Sequence, residues 1–104
     1  MDIECIRKAI QERRINVTDH ADEELAADEI SDEDLFQSVL TGEVIEDYPE
    51  DFPFPSCLIY GRDPKGRPIH SVWASAEPYR IAILVTAYVP DPVRWIDFRI
   101  RRRR

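Results

Sequence analysis

The chain is poor in several residue types that mark well-known sites: it has three glycines, two cysteines, two histidines and one methionine among 104 residues. Gly42, Gly61 and Gly66 are too few and too scattered to form a phosphate-cradling loop, which excludes nucleotide sites of that kind. Cys5 and Cys57 make no C-x-x-C pair and neither adjoins a histidine, which excludes the usual zinc spacings and covalent haem attachment. Two reduced, largely buried thiols are the expectation. No apolar run approaches the roughly 18 residues of a membrane span. The opening MDIECIRKAI carries acids where a signal peptide carries bases. These absences predict a cytoplasmic chain with no membrane association. The serines stand in no nucleophile-elbow context.

What is present reads as one globular domain over residues 1–104, with 43% apolar and 34% charged residues. A chain of this size buries roughly two thirds of the surface that its unfolded form exposes, enough for one core. The net charge of −7 is unevenly spread. Residues 1–56 hold 17 acids and 4 bases, a balance of −13; residues 57–104 hold 4 acids and 10 bases, a balance of +6. The first half repels phosphates and the second attracts them. Residues 99–104 form a basic tail, Arg99 followed by Arg101 to Arg104, which reads as a solvated end or as an arm for nucleic acid or an acidic partner.

Hydrophobic spacing predicts a helix over 2–13 from Ile3, Ile6 and Ile10, then a short extended link at Ile15-Asn16-Val17. Thr18 or Asp19 can cap a second helix over about 20–28, and Ser31 with Asp34 opens a third carrying Leu35, Phe36, Val39 and Leu40, ended by Gly42. From there the period becomes two. Strands are predicted at 44–48, 57–60, 68–74 and 79–89, the last being long, rich in β-branched residues and so central. Asp63-Pro64-Lys65-Gly66 is a turn, and Val93 to Phe98 reads as one helical turn seating Trp95 and Phe98 on the core. Helices first and strands afterwards predict an α+β fold, with N-terminal helices on one face of a four-stranded antiparallel sheet.

The two histidines are the groups best suited to chemistry near neutral pH. His20 falls in the first turn of the second helix. His70 lies mid-strand, sharing a face with Val72 and Ala74. As structural residues they pack as polar-tipped side chains; as a site they meet across the gap between helix and sheet. One chemistry is a metal-free ribonuclease, in which an imidazole deprotonates a 2′-hydroxyl, Arg62, Arg67 and Arg80 hold phosphate, and Tyr60 and Tyr88 stack on bases or donate protons. The other uses no catalysis: His20 and His70 become the two axial ligands of a non-covalent haem, with arginines for its propionates. The run 22–34, DEELAADEISDED, reads as a solvated acidic face.

Several stretches together resemble a known family: His20-Ala21 before a helix, GEVIEDYP at 42–49, PSCLI at 55–59, GRPIH at 66–70, and Pro90-Asp91-Pro92 with Trp95 and Asp97-Phe98-Arg99. They are similar to the bacterial family called domain of unknown function 4258, over about residues 15–102. The resemblance implies a RelE-like toxin-type fold with a curved sheet, endoribonuclease activity, and a small zinc-finger antitoxin as partner, with RNA and a second copy as further partners. It matches His20 and His70 to the family's recurrent histidines and Arg67 to its GRP arginine, which with Tyr88 from the residue reading are the catalytic candidates; no cofactor is expected, haem belongs to the alternative reading, and a non-catalytic interaction module is the third. Family members often carry basic residues in the helix after the first histidine. Here that helix reads DEELAADE and repels RNA.

Overall fold

In the computed structural model, which describes residues 1–103, the chain is an α+β domain of two main layers. Helix α1 (Ile3–Gln11) is capped by the Asp2 carboxylate. Strand β1 (Ile15–Val17) follows, then α2 (Asp19–Ala27) and α3 (Asp32–Leu40). Thr18 and Ser31 are the N-caps of α2 and α3, each accepting an amide hydrogen three residues on. Strands β2 (Glu43–Tyr48), β3 (Ser56–Arg62), β4 (Pro68–Ala76) and β5 (Ile81–Tyr88) then form an antiparallel meander. The last two strands, β6 (Trp95–Ile96) and β7 (Ile100–Arg101), pair with each other as a separate small hairpin.

Three expectations are corrected. The sheet has five strands in the order β1-β5-β4-β3-β2, and it is mixed, because the link at Ile15–Val17 pairs in parallel with Ala82–Leu84. Strand β4, rather than the last long strand, is therefore central. Val93–Phe98 is no helical turn: Trp95–Ile96 pairs with Ile100–Arg101, which draws part of the basic tail into a strand. Arg104 lies outside the described residues. Cys57 is buried, which pushes its thiol up to about 11, whereas Cys5 is exposed on the outer side of α1; both are free.

Alternation along the strands sorts the sheet into two faces. Cys57, Ile59, Ile69, Trp73, Leu84 and Ala87 face the helices and meet Ile6, Ile10, Leu25, Leu35 and Val39. Leu58, Tyr60, His70 and Tyr88 face the other way, toward the β6–β7 hairpin that brings Trp95 over them. A bulge at Val72/Trp73 lets Trp73 pair with Leu84 and keeps both in the core. Among the described residues no helix is long and apolar enough to cross a membrane.

The outer edge of β5 is covered in two stages. Strand β1 serves residues 82–84, and α2 then runs beside the rest. Thr18 bonds through its amide to the Leu84 carbonyl and through its hydroxyl to the Val85 carbonyl. Glu24 accepts a hydrogen bond from Thr86, and the Asp28 carboxylate accepts from the Val89 amide at 2.8 Å. A helix thus closes an edge that would otherwise offer unpaired backbone groups to another strand.

Candidate functional site

His70 is fully buried on the sheet face away from the helices. Its Nε2 lies 2.6 Å from the Phe98 carbonyl oxygen and its Nδ1 lies 3.3 Å from the Tyr88 hydroxyl. A carbonyl only accepts, so Nε2–H donates to it, and Nδ1 is left to accept from Tyr88. Trp95 stands edge-on to the imidazole with centroids 4.5 Å apart, and Tyr60 and Tyr88 flank it at 5.9 and 5.4 Å. Burial is the largest influence on this ring and pushes its pKa below the ordinary value. The Phe98 carbonyl and Glu46 oppose that shift, and Arg101 adds to it.

His20 occupies a different setting. It is exposed on α2, and its Nε2 lies 3.0 Å from Glu24 Oε1 one turn on. The same carboxylate oxygen accepts from Thr86 on β5, so Glu24 ties the imidazole to the sheet edge. The two histidines therefore do not meet across the helix–sheet gap. The period of two along β4 turns His70 toward the hairpin, while Ile69 and Trp73 take the helix side.

Beside the hairpin, at the end of β5, lies a cleft of about 280 Å³ lined by Tyr88, Val89, Asp91, Arg94, Trp95 and Arg101; neither histidine is part of its lining. Tyr88 is half-buried; burial raises its hydroxyl pKa, Arg101 opposes that shift, and Glu46 and then Glu24 add to it. Arg101 pairs with Glu46 at 3.0 Å and lies over the Trp95 ring at 4.6 Å. Arg94 is exposed in the same cleft. The cleft therefore holds a phenol and two guanidiniums, and the His20–Glu24 pair lies outside its lining, tied to β5 at Thr86, two residues before Tyr88. Glu24 and Arg94 do not stand out in the sequence, where Arg101 belongs to the basic tail. Glu24 is one acid in a long acidic run, and the two arginines gain their place only through the hairpin.

The remaining candidate arginines are dispersed. Arg67 spans Asp63 and the carbonyls of Asp28 and Glu29, bonding the β3–β4 turn to the α2–α3 connection. Arg62 sits near Tyr60 and Phe98 on the hairpin side. Arg80 adopts a left-handed backbone after the turn Glu77–Tyr79, at the other end of β5.

A haem held by both histidines would need the two imidazoles free and facing one iron. Both ring nitrogens of His70 are engaged inside a buried aromatic nest, and His20 is not among its contacts. These residues do not fit a shared axial pair. The described residues also hold no group of three or more metal-ligating side chains.

One family model, Domain of unknown function (DUF4258), matches residues 17–89. The chain belongs to this family. Comparison with curated proteins and with solved structures gives no match. The DUF4258 match runs from the end of β1 to just past β5, so it takes in His20, Glu24, His70 and Tyr88. Helix α1 and the hairpin that seals His70 lie outside it.

The His70 environment predicts a pH dependence of stability. The folded ring titrates below about 6.5, the usual imidazole value. Between those two values the unfolded chain carries a proton at this site that the folded chain does not. The contribution is full above about pH 6.5 and is lost as pH falls through that value. Urea midpoints measured from pH 7.5 down to 5.5 should therefore decline more steeply in the native chain than in His70→Gln. Equal slopes in the two proteins would refute the assignment.

Proposed function

We propose that this DUF4258 member is a RelE-like, toxin-type ribonuclease that cleaves RNA without a metal and is held in check by a small protein partner. The observation that carries the proposal is the His20–Glu24 pair bound to Thr86 on β5, two residues before Tyr88, which lines a cleft together with Arg94 and Arg101. Glu24 holds the Nε2–H of His20, which leaves Nδ1 free to take a proton from a ribose 2′-hydroxyl. The 2′-oxygen then attacks the adjacent phosphorus and the bond to the 5′-oxygen breaks, giving a 2′,3′-cyclic phosphate and a free 5′-hydroxyl. Arg94 and Arg101 offset charge on the phosphoryl oxygens, and Tyr88 gives its proton to the departing oxygen. His70 acts as a positioning residue, because it accepts a hydrogen bond from that hydroxyl.

The bases of the C-terminal half draw a polyanion to the hairpin side, whereas α2, which carries His20, and α3 contain no lysine or arginine and repel it, so the strand enters over the hairpin. The test is cleavage of a labelled single-stranded RNA by the purified chain. His20→Gln should reduce the rate about a hundredfold and should leave thermal stability close to native, since the ring is exposed. Unchanged cleavage in His20→Gln would remove the histidine from the mechanism. No cleavage by the native chain, with no growth arrest when it is expressed in a host, would leave a binding role in its place.

A further inference from the structure

On the other flank of the hairpin lies a second cleft of about 320 Å³, bounded by Glu43, Tyr60, Arg62 and Arg99. The Tyr60 ring is the floor. Arg99 lies over it at 4.7 Å and Arg62 at 5.7 Å, and Arg62 is also 5.8 Å from the Phe98 ring. Arg62 is thus held astride two aromatic rings, steadied by a 2.7 Å hydrogen bond to the Gly66 carbonyl. Its outer surface is exposed. Glu43 receives Arg99 Nε on Oε1 at 2.6 Å, and among the described residues Oε2 has no hydrogen-bond donor.

We propose that this cleft binds a guanine nucleotide, the base stacking on Arg62 and its Watson–Crick edge reaching Glu43. The inference rests on the RNA reading above and names the base that the protein selects. A guanidinium already backed by aromatic rings offers a flat cationic surface for a base. An ionised carboxylate only accepts hydrogen bonds. Guanine is the base whose edge presents two adjacent donors, N1–H and the N2 amine. Adenine and cytosine set an acceptor nitrogen beside their single amine, and uracil sets one N–H between two carbonyls, so each turns a lone pair toward Glu43. Arg99 is paired with Glu43 through Nε and with Asp97 through Nη1, which leaves its Nη2 to meet the phosphate. Arg99 borders this cleft and Arg101 borders the Tyr88 cleft, so one strand crossing the hairpin meets both.

Calorimetric titration of the full chain with the four ribonucleoside 5′-monophosphates tests this directly. The guanine nucleotide should bind about tenfold tighter than the other three, the size of discrimination expected of a two-donor contact to one base edge. Glu43→Gln should erase that preference while keeping base-independent binding. Arg62→Lys, which keeps the charge and loses the planar surface, should weaken all four, with circular dichroism confirming the fold. Equal affinities for the four nucleotides, binding of none of them, or a preference that survives Glu43→Gln would each overturn the proposal. Cleavage is measured separately. Guanine selectivity without RNA cleavage retains the cleft and removes the ribonuclease, and cleavage without selectivity does the reverse.

Discussion

Gly61→Ala should lower stability by about 3 kcal/mol or more, because it forces α3 away from the sheet. A Cβ at Gly61 would lie 1.8 Å from the Ser38 carbonyl oxygen and 2.6 Å from its carbonyl carbon. Those are backbone atoms of a helix, so no side-chain rotation relieves the overlap. Helix α3 cannot retreat cheaply either, since Leu35 and Val39 are completely buried beneath it and Ser38 is sealed with them. For a domain of this size 3 kcal/mol corresponds to a fall in Tm of roughly 12–24 °C. Gly66→Ala is the informative control. Its φ of +88° strains any L side chain, yet nothing lies within 4 Å, so it should cost only about 1 kcal/mol. Thermal unfolding of the two variants side by side checks the order. A Gly61→Ala protein that melts within a few degrees of native would show that α3 is not seated on β3 through this contact.

The close approach at Gly61 was not visible in the sequence, and the reason is general. Local chemistry marks local events. Thr18 and Ser31 announce their helices because a side-chain oxygen there meets an amide three residues away. Asp63-Pro64-Lys65-Gly66 announces its turn, where the Gly66 amide reaches the Asp63 carbonyl at 2.9 Å. The four meander strands follow from alternation alone. What pairs with a distant segment carries no such mark. Ile15–Val17 looks like a linker until Ala82–Leu84 lies beside it. The hairpin was hidden for a different reason. Its turn places Asp97 and Phe98 at φ of 51° and 58°, where Asn-Gly or Asp-Gly would be the usual signal. A phenylalanine in that conformation reads as anything but a turn.

The same separation governs the candidate site. Both histidines were legible as chemistry-bearing residues, since few side chains titrate near neutrality, and Tyr88 as a phenol able to donate a proton. Their roles were not, because alternation along β4 determines which side His70 faces and the hairpin determines what covers it. Glu24 became distinctive only when its carboxylate was seen to bridge His20 and Thr86, two residues 66 positions apart. Arg101 changed from tail to strand through its pairing with Trp95 and its contact with Glu46.

His70→Ala should be the most damaging single change on the hairpin side, costing about 3–5 kcal/mol as cavity and lost hydrogen bonds add. It removes the donor to the Phe98 carbonyl and the acceptor for the Tyr88 hydroxyl, and it empties the space that Trp95, Tyr60 and Tyr88 enclose. The loss falls on an element with little else to hold it. Strands β6 and β7 are two residues each, and the turn between them is strained at Phe98. Beyond the hydrogen bond to His70, the hairpin rests on buried Trp95, whose ring packs edge-on against that same imidazole, and on Phe98 beside Tyr60; the pairs of Arg99 with Glu43 and Arg101 with Glu46 are exposed or partly exposed and contribute little. The hairpin should therefore come free before the helices and the meander unfold. Hydrogen exchange would show this as fast exchange at the Arg99 and Arg102 amides, which bond to the Ile96 and Arg94 carbonyls within the hairpin, while β3 and β4 stay protected. His70→Gln, which can still donate to the carbonyl, should hold the hairpin better than alanine does. If exchange quickens uniformly across the sheet in His70→Ala, the histidine supports the whole core, and the latch on the hairpin is not its particular task.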